Sequence, residues 1–137
     1  MRNYPAMLFL LMTGCASSTV MTPIHYQFLD NPAERRIDLM YQNTSTHTMC
    51  LLPEHWPNSG GKINQAGDRV QLVVDHQHFP LEDFNTGYCP QGYSLRVPSG
   101  EKVVAFILYS DFKLPDRLAS EPKMLEFAPL AYQCSGK

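Results

Sequence analysis

Proline and glycine interrupt this chain so often that few windows remain for a long helix. Eleven prolines and eight glycines are spread over 137 residues, and both residue types disfavour helix interiors. Between them lie short stretches in which apolar and polar side chains alternate. Such alternation is typical of strands that bury one face against a core. The sequence therefore predicts an all-β fold.

The alternating stretches give approximate strand positions. Residues 36–42 and 48–52 follow one another across a short polar connector, and we predict that they form a hairpin. Residues 102–109 are apolar on both faces, which favours a central strand. Residues 125–134 are predicted to form one final strand, whose interruption at Pro129 indicates an edge or a bulge. Further strands are predicted at residues 24–28, 69–75 and 93–97.

The number of predicted strands favours a sandwich over a closed barrel. About seven short strands separated by turn signals, with no long helix, favour a single immunoglobulin-like β-sandwich. A small closed barrel is the alternative. We expect this domain to span residues 24–137, which is long enough to bury a core of its own without a structural metal.

A short apolar run at residues 6–12 follows a single positive side chain, Arg2. Because a helix needs about 20 apolar residues to cross a bilayer, this run is too short to span one and is typical of a secretory signal peptide. The sequence Leu-Met-Thr-Gly-Cys at positions 11–15 resembles the lipobox of bacterial lipoproteins. This resemblance implies that residues 1–14 are removed and that the Cys15 thiol is acylated, with chains such as palmitate.

The residues after Cys15 refine that expectation. Ala16 stands where an aspartate would hint at retention in the inner membrane, so the resemblance implies an outer-membrane lipoprotein that faces the periplasm. Residues 15–23 are predicted to form the lipidated start and a short polar tether. Eight extended residues reach at most about 25–30 Å, so we expect the domain to stay close to its membrane.

Three further cysteines, Cys50, Cys89 and Cys134, fit an oxidising compartment and permit one disulfide. We favour a bond between Cys50 and Cys134, because it would fasten the C-terminal strand and close a loop of more than eighty residues. A bond between Cys89 and Cys134 is the alternative.

Charge and motifs exclude several classes of function. The formal net charge is −2 and no block of basic residues occurs, so nucleic acid is a poor partner. The sequence contains no GxSxG elbow, Gly-rich phosphate loop or HExxH motif. The adjacent carboxylates Glu82 and Asp83 are expected to face apart rather than to form an acid–base pair. We therefore expect no enzyme activity and no cofactor.

His76 and His78 have the only spacing that suggests a metal site, since residues i and i+2 of a strand point the same way. No third and fourth ligand follow at a set spacing. We interpret the pair as polar side chains where a strand ends, and we predict no metal. Metal handling in the envelope through these two histidines is the alternative.

Aromatic residues in loops are the remaining candidates for a site. One loop carries the only tryptophan, Trp56, and residues 76–92 form a long irregular segment rich in aromatics. Loops on a rigid β scaffold are frequent recognition sites, and Trp and Tyr contribute much of the binding energy at interfaces. We predict that Trp56, Phe84 and Tyr88 contact a protein partner and that Asp83 steers a basic one. The alternative is that these rings close the open end of the sandwich.

A small lipid-anchored β domain without a catalytic motif is similar, at a coarse level, to the periplasmic lipoproteins that give immunity against type VI secretion toxins. It is also similar to lipoprotein inhibitors of lysozyme or proteases. Both resemblances imply a non-enzymatic protein that binds and neutralises a protein partner. A structural accessory lipoprotein of the envelope is a further alternative.

Overall fold

The computed structural model describes residues 19–64, 66–83 and 94–135. These residues form ten strands and three short 3₁₀ turns, without an α-helix, so the predicted all-β fold is confirmed. The predicted signal peptide, Cys15 and the candidate contacts Phe84 and Tyr88 lie outside the described residues. The strands are β1 (Thr22–Pro23), β2 (Tyr26–Asn31), β3 (Arg36–Gln42), β4 (Met49–Leu51), β5 (Val70–Val74), β6 (Gln77–Pro80), β7 (Leu95–Val97), β8 (Lys102–Leu108), β9 (Lys123–Phe127) and β10 (Leu130–Gln133).

The strands form three antiparallel sheets, with the orders β1-β10-β4-β7, β2-β3-β8 and β6-β5-β9. Inward-facing positions alternate along the strands: Ile37, Leu39 and Tyr41 of β3 are buried, and the residues between them face outward. Buried side chains from all three sheets join in one hydrophobic cluster. The period-two pattern of the sequence therefore gave the correct inward face for β3.

The final predicted strand at residues 125–134 is wrong. β9 and β10 belong to different sheets, and the chain changes sheet at the buried Pro129. The Pro129 carbonyl accepts a hydrogen bond from the Ile24 N–H at 3.1 Å. β1 pairs with β10 beside this bond, so main-chain pairing begins at Thr22, inside the segment that the sequence predicts to be a tether.

The predicted hairpin of residues 36–42 and 48–52 is also wrong, because β3 and β4 lie in different sheets. Asn43 explains the change of direction. Its fully buried side chain donates from Nδ2 to the carbonyls of Val97 at 2.8 Å and His47 at 2.7 Å. Its main-chain N–H donates to the Glu101 carbonyl at 2.9 Å. These bonds direct the chain after β3 towards the sheet that contains β4.

The predicted central strand at residues 102–109 is an edge strand in the described structure. β3 is central in its sheet, and β8 pairs with β3 alone. β8 is apolar on both faces because one face packs on the core and the other carries Val104, which is 74% exposed. An outward apolar face on this sheet is the feature that positions the candidate site.

The long irregular segment predicted at residues 76–92 begins with regular structure. β6 pairs with β5, and the two strands are joined by a two-residue turn at Asp75 and His76. Both turn residues have positive φ, 49° and 60°, as the favoured two-residue hairpin turn requires. The sequence hides this turn because Asp-His is not one of the usual Gly-containing pairs.

The predicted disulfide is present in the structure. Cys50 of β4 is bonded to Cys134, which follows β10, and their Cα atoms lie 5.3 Å apart. The Cys134 N–H also donates to the Thr48 carbonyl at 3.0 Å. The bond therefore reinforces the pairing of β4 with β10 at the C-terminal end of the domain.

A buried ion pair joins β2 to β9, which lie in different sheets. The Lys123 side chain is 0% exposed, and its Nζ lies 2.9 Å from Oδ2 of Asp30. Nζ also donates to the carbonyls of Ala119 at 2.6 Å and Glu121 at 2.9 Å. The Tyr109 hydroxyl donates to the other oxygen of Asp30. Burial, together with this hydrogen bond, raises the pKa of Tyr109 above its usual range.

Gly61 lets the loop after β4 approach β8. Its φ is 78°, and a Cβ at this position would lie 2.8 Å from the Phe106 ring and 3.0 Å from the Phe106 carbonyl oxygen. Gly100 offers a matched comparison, because its φ is 81° but a Cβ there would meet nothing within 4 Å. The two glycines therefore separate the cost of backbone conformation from the cost of a steric clash.

We expect Gly61→Ala to lower the free energy of unfolding by about 2–3 kcal/mol and Gly100→Ala by about 1 kcal/mol. Both changes force a residue with a Cβ into a left-handed backbone conformation. Only Gly61→Ala also brings that Cβ against Phe106. Urea denaturation of the two variants beside the parent chain measures both losses. Equal losses would contradict the close packing of this loop on β8.

Candidate functional site

The outer face of the β2-β3-β8 sheet is the strongest candidate site in the described structure. Residues directly opposite each other in antiparallel strands share a face. Asp38 of β3 lies opposite Leu29 of β2 and Phe106 of β8. In the next outward row, Met40 lies opposite Gln27 and Val104. Leu39, which lies between these rows on β3, faces the core. Because side chains alternate along a strand, the two rows face away from the core.

This outer face exposes large apolar side chains among its polar ones, where a solvated sheet face is normally polar. Leu29 is 66% exposed and Val104 is 74% exposed, and they lie on strands that flank β3 on either side. Neighbouring strands are about 4.8 Å apart, so the two side chains are roughly two strand spacings apart across the sheet. Large apolar side chains that stay exposed close together often mark an interaction site.

One ion pair lies in the middle of the apolar face. Nε of Arg36 lies 2.7 Å from Oδ1 of Asp38, although its N–H does not point at that oxygen. Oδ2 of Asp38 accepts a hydrogen bond from Nδ2 of Asn31 at 2.9 Å. The Arg36 guanidinium carbon lies 5.1 Å from the centre of the Phe106 ring, an arrangement that holds the guanidinium against the sheet.

The ends of the Arg36 side chain remain available. A guanidinium has five N–H donors, and the contacts of this one are the Asp38 carboxylate and the Phe106 ring. Among the residues that the structure describes, no acceptor meets the two terminal nitrogens of Arg36. The face therefore offers a positioned cation with unused donors between apolar side chains.

A groove of about 1,010 Å³ runs along this face. One side is formed by residues of β2, β3 and β8, including inward-facing ones such as Leu39 and Ala105, and the other by residues 51–53 and 56–59 together with Leu95. The second side is held in place by Asn58, whose Oδ1 accepts hydrogen bonds from the N–H groups of Gly60 at 2.9 Å and Lys62 at 3.1 Å. Arg36 and Asp38 are the charged residues that line the groove.

Trp56 is not an exposed contact, which corrects the sequence-based assignment. Trp56 is 3% exposed, and its ring packs in a T-shaped arrangement with the Tyr41 ring, with ring centres 6.2 Å apart. The Leu52 carbonyl accepts hydrogen bonds from the His55 and Trp56 N–H groups, and this tight turn directs the indole inward. The burial of Trp56 fits the alternative prediction, in which aromatic side chains of the loops close the domain.

Asp83 does not belong to the groove. It is exposed, and its Oδ1 accepts a hydrogen bond from the Gly67 N–H at 2.7 Å, at the start of a 3₁₀ turn. The structure therefore does not bring Asp83 and Trp56 into one site, since only Trp56 borders the groove. The assignments of Phe84 and Tyr88 concern residues outside the described ranges and stay predictions.

His76 and His78 occupy different structural settings. His76 lies in the turn between β5 and β6, and His78 lies on β6 with its Nδ1 4.0 Å from Oε2 of Glu126. In the described ranges, no group of three or more His, Cys, Asp or Glu side chains is placed to hold a metal ion. These ranges also contain no apolar helix of the length that a membrane crossing needs.

The residues of the groove were not identified from the sequence. Arg36 and Val104 lie in predicted strands, whereas Leu29 lies one residue beyond the strand predicted at residues 24–28, and nothing local marks the outer face of any of them as uncovered. The available signal was the apolar character of both faces of residues 102–109, a pattern that fits a central strand as well as an exposed face.

Comparisons with known proteins do not assign this chain to a family. No protein-family model matches it, and searches of curated proteins and of solved structures found no significant match.

Proposed function

We propose that this chain is a non-enzymatic lipoprotein that binds and neutralises a protein partner at the periplasmic side of the outer membrane. In this proposal Cys15 carries the lipid anchor, and an immunoglobulin-like β-sandwich presents the binding surface. The partner is a toxin, so that the protein acts in the manner of the immunity lipoproteins against type VI secretion toxins.

The observation that carries the proposal is the exposed apolar face of the β2-β3-β8 sheet. Leu29 and Val104 are both more than half exposed on the outer face, on the two strands that flank β3. Full burial of one such side chain is worth about 1.5–3 kcal/mol. Covering both with a partner therefore recovers a substantial part of the free energy that a stable complex needs.

The shape of the groove favours a protein over a small molecule. A small-ligand pocket typically encloses most of its ligand, whereas the apolar side chains here stand at an open surface. Leu95, at the far side of the groove, is also exposed. A partner that contacts the exposed side chains on both sides of the groove must cover an open surface. Protein–protein interfaces are surfaces of this kind.

Val104→Lys tests the binding surface, with Met124→Lys as its matched control. Met124 is also exposed, but it lies on β9 in another sheet. We expect the parent chain and Met124→Lys to protect susceptible cells against the effector encoded beside the gene and to form an equimolar complex with it. Val104→Lys is expected to lose both properties, because it places a charge in the apolar contact. Protection by Val104→Lys at the parent level would contradict the proposed surface.

The anchor is tested separately by labelling cells with radioactive palmitate. We expect label on the parent chain and none on Cys15→Ser, which should also leave the membrane fraction. If both chains remain unlabelled, the anchor is disproved and the binding surface is not affected.

A further inference from the structure

We infer that the groove on the β2-β3-β8 sheet accepts a segment of a partner protein in which a carboxylate lies beside apolar side chains, with the carboxylate bound by Arg36. This inference rests on the proposed function and deepens it, because it states the chemistry of the partner's contact segment. It also predicts an acidic contact segment, whereas the role predicted for Asp83 from the sequence implies a basic partner.

The charge of the outer face carries the first step. The outward positions of the three strands hold two cations, Arg36 and Lys102, and one anion, Asp38. The face is therefore formally positive by one charge, although the whole chain has a net charge of −2. A partner that covers this face is favoured when it brings a negative charge, because charge complementarity sets which partners bind.

The contacts of Arg36 carry the second step. Both oxygens of Asp38 are already engaged, one beside Nε of Arg36 and the other by Nδ2 of Asn31. The terminal nitrogens of Arg36 face no acceptor within the described ranges, and the guanidinium carbon lies 5.1 Å from the centre of the Phe106 ring. A planar guanidinium with two free nitrogens matches the two oxygens of a carboxylate.

The position of the apolar side chains carries the third step. Leu29 lies in the same row as Phe106, whose ring the guanidinium contacts, and Val104 lies in the next row. Rows on one face of a strand are about 7 Å apart, which is also the spacing of alternate residues in an extended segment. A bound segment can therefore place a carboxylate at Arg36 and an apolar side chain between Leu29 and Val104.

Two other occupants fit the same face less well. A second copy of the chain in a symmetric dimer would set this positive face against itself. A membrane surface with anionic lipids is recognised by clusters of several Lys and Arg residues, whereas this face has two. Both remain measurable outcomes of the experiment.

The experiment is a selection of random twelve-residue peptides displayed on phage against the full chain with Cys15→Ser, which removes only the attachment point of the lipid. We expect peptides with Asp or Glu beside apolar residues to be enriched on this chain and on Met124→Lys. Arg36→Gln should lose the acidic preference and bind a synthetic peptide of the enriched sequence about tenfold or more weakly. Val104→Lys should lose the apolar preference of the enriched peptides but keep the acidic one, because it removes an apolar contact and adds a cation. Thermal melting of each variant checks that it is folded.

Each outcome decides the inference. Enrichment of basic or uncharged peptides, an acidic preference that Arg36→Gln retains, or no enrichment at all would overturn it. Sedimentation that shows a dimer abolished by Val104→Lys would assign the face to a second copy, and Arg36-dependent binding to vesicles of anionic phospholipid would assign it to a membrane. If Val104→Lys abolishes protection against the toxin but Arg36→Gln does not, the proposed function stands and this inference fails.

Discussion

Replacing Cys50 and Cys134 together by alanine is expected to lower the free energy of unfolding by about 4–5 kcal/mol. The two cysteines are 84 residues apart in the chain, and a cross-link over such a distance strongly restricts the unfolded chain. The loss should be measured by urea denaturation on a chain that also carries Cys15→Ser and Cys89→Ser. In that chain no other thiol can exchange with the bond.

Reduction of the disulfide gives an independent measurement of the same quantity. A reducing agent should lower the stability of the chain that retains Cys50 and Cys134 by a similar amount and leave the double alanine variant unchanged. A loss below about 1 kcal/mol in both measurements would contradict a role of this bond in restricting the unfolded chain.

Lys123→Met is expected to lower the free energy of unfolding by about 3 kcal/mol. The change removes a fully buried ammonium group and leaves the carboxylate of Asp30 without its cation, in a site where the Asp30 side chain is only 26% exposed. Lys113→Met is the matched control, since Lys113 is 77% exposed and lies 3.9 Å from Glu82. Its expected change is below about 0.5 kcal/mol.

A double-mutant cycle with Asp30→Asn identifies the cause of the loss. The amide of Asn keeps an oxygen that can accept the Tyr109 hydroxyl but carries no charge. If the unpaired carboxylate causes the loss in Lys123→Met, the double variant should be less destabilised than the sum of the two single variants. Strict additivity in chemical denaturation would show that Lys123 and Asp30 contribute independently.

Local residue pattern predicted the strands but not how they pair. Alternation at residues 36–42 places Ile37, Leu39 and Tyr41 on one face, and this face is buried as predicted. Alternation contains no information on the neighbouring strand, because every strand with one apolar face presents the same pattern. The change of sheet after β3 depends instead on hydrogen bonds of Asn43 to carbonyls more than fifty residues away, such as that of Val97.

The candidate site was predicted less well, for a related reason. A tryptophan in a loop with prolines suits either an interface or a core, and the burial of Trp56 depends on how the turn after Leu52 directs it. A strand that is apolar on both faces suits either a sheet centre or an exposed binding face. Only the placement of β8 at a sheet edge, with Val104 uncovered, distinguishes the two.

The pairing of β1 with β10 has a mechanical consequence. A force applied to the N-terminal segment acts first on the hydrogen bonds between these strands and on the bond between Ile24 and Pro129. From β10 the tension passes to β4, both through strand pairing and through the covalent bond between Cys50 and Cys134. The load therefore reaches the sheet that carries Leu51 and Leu95, on one side of the groove, before it reaches β2, β3 and β8 on the other side.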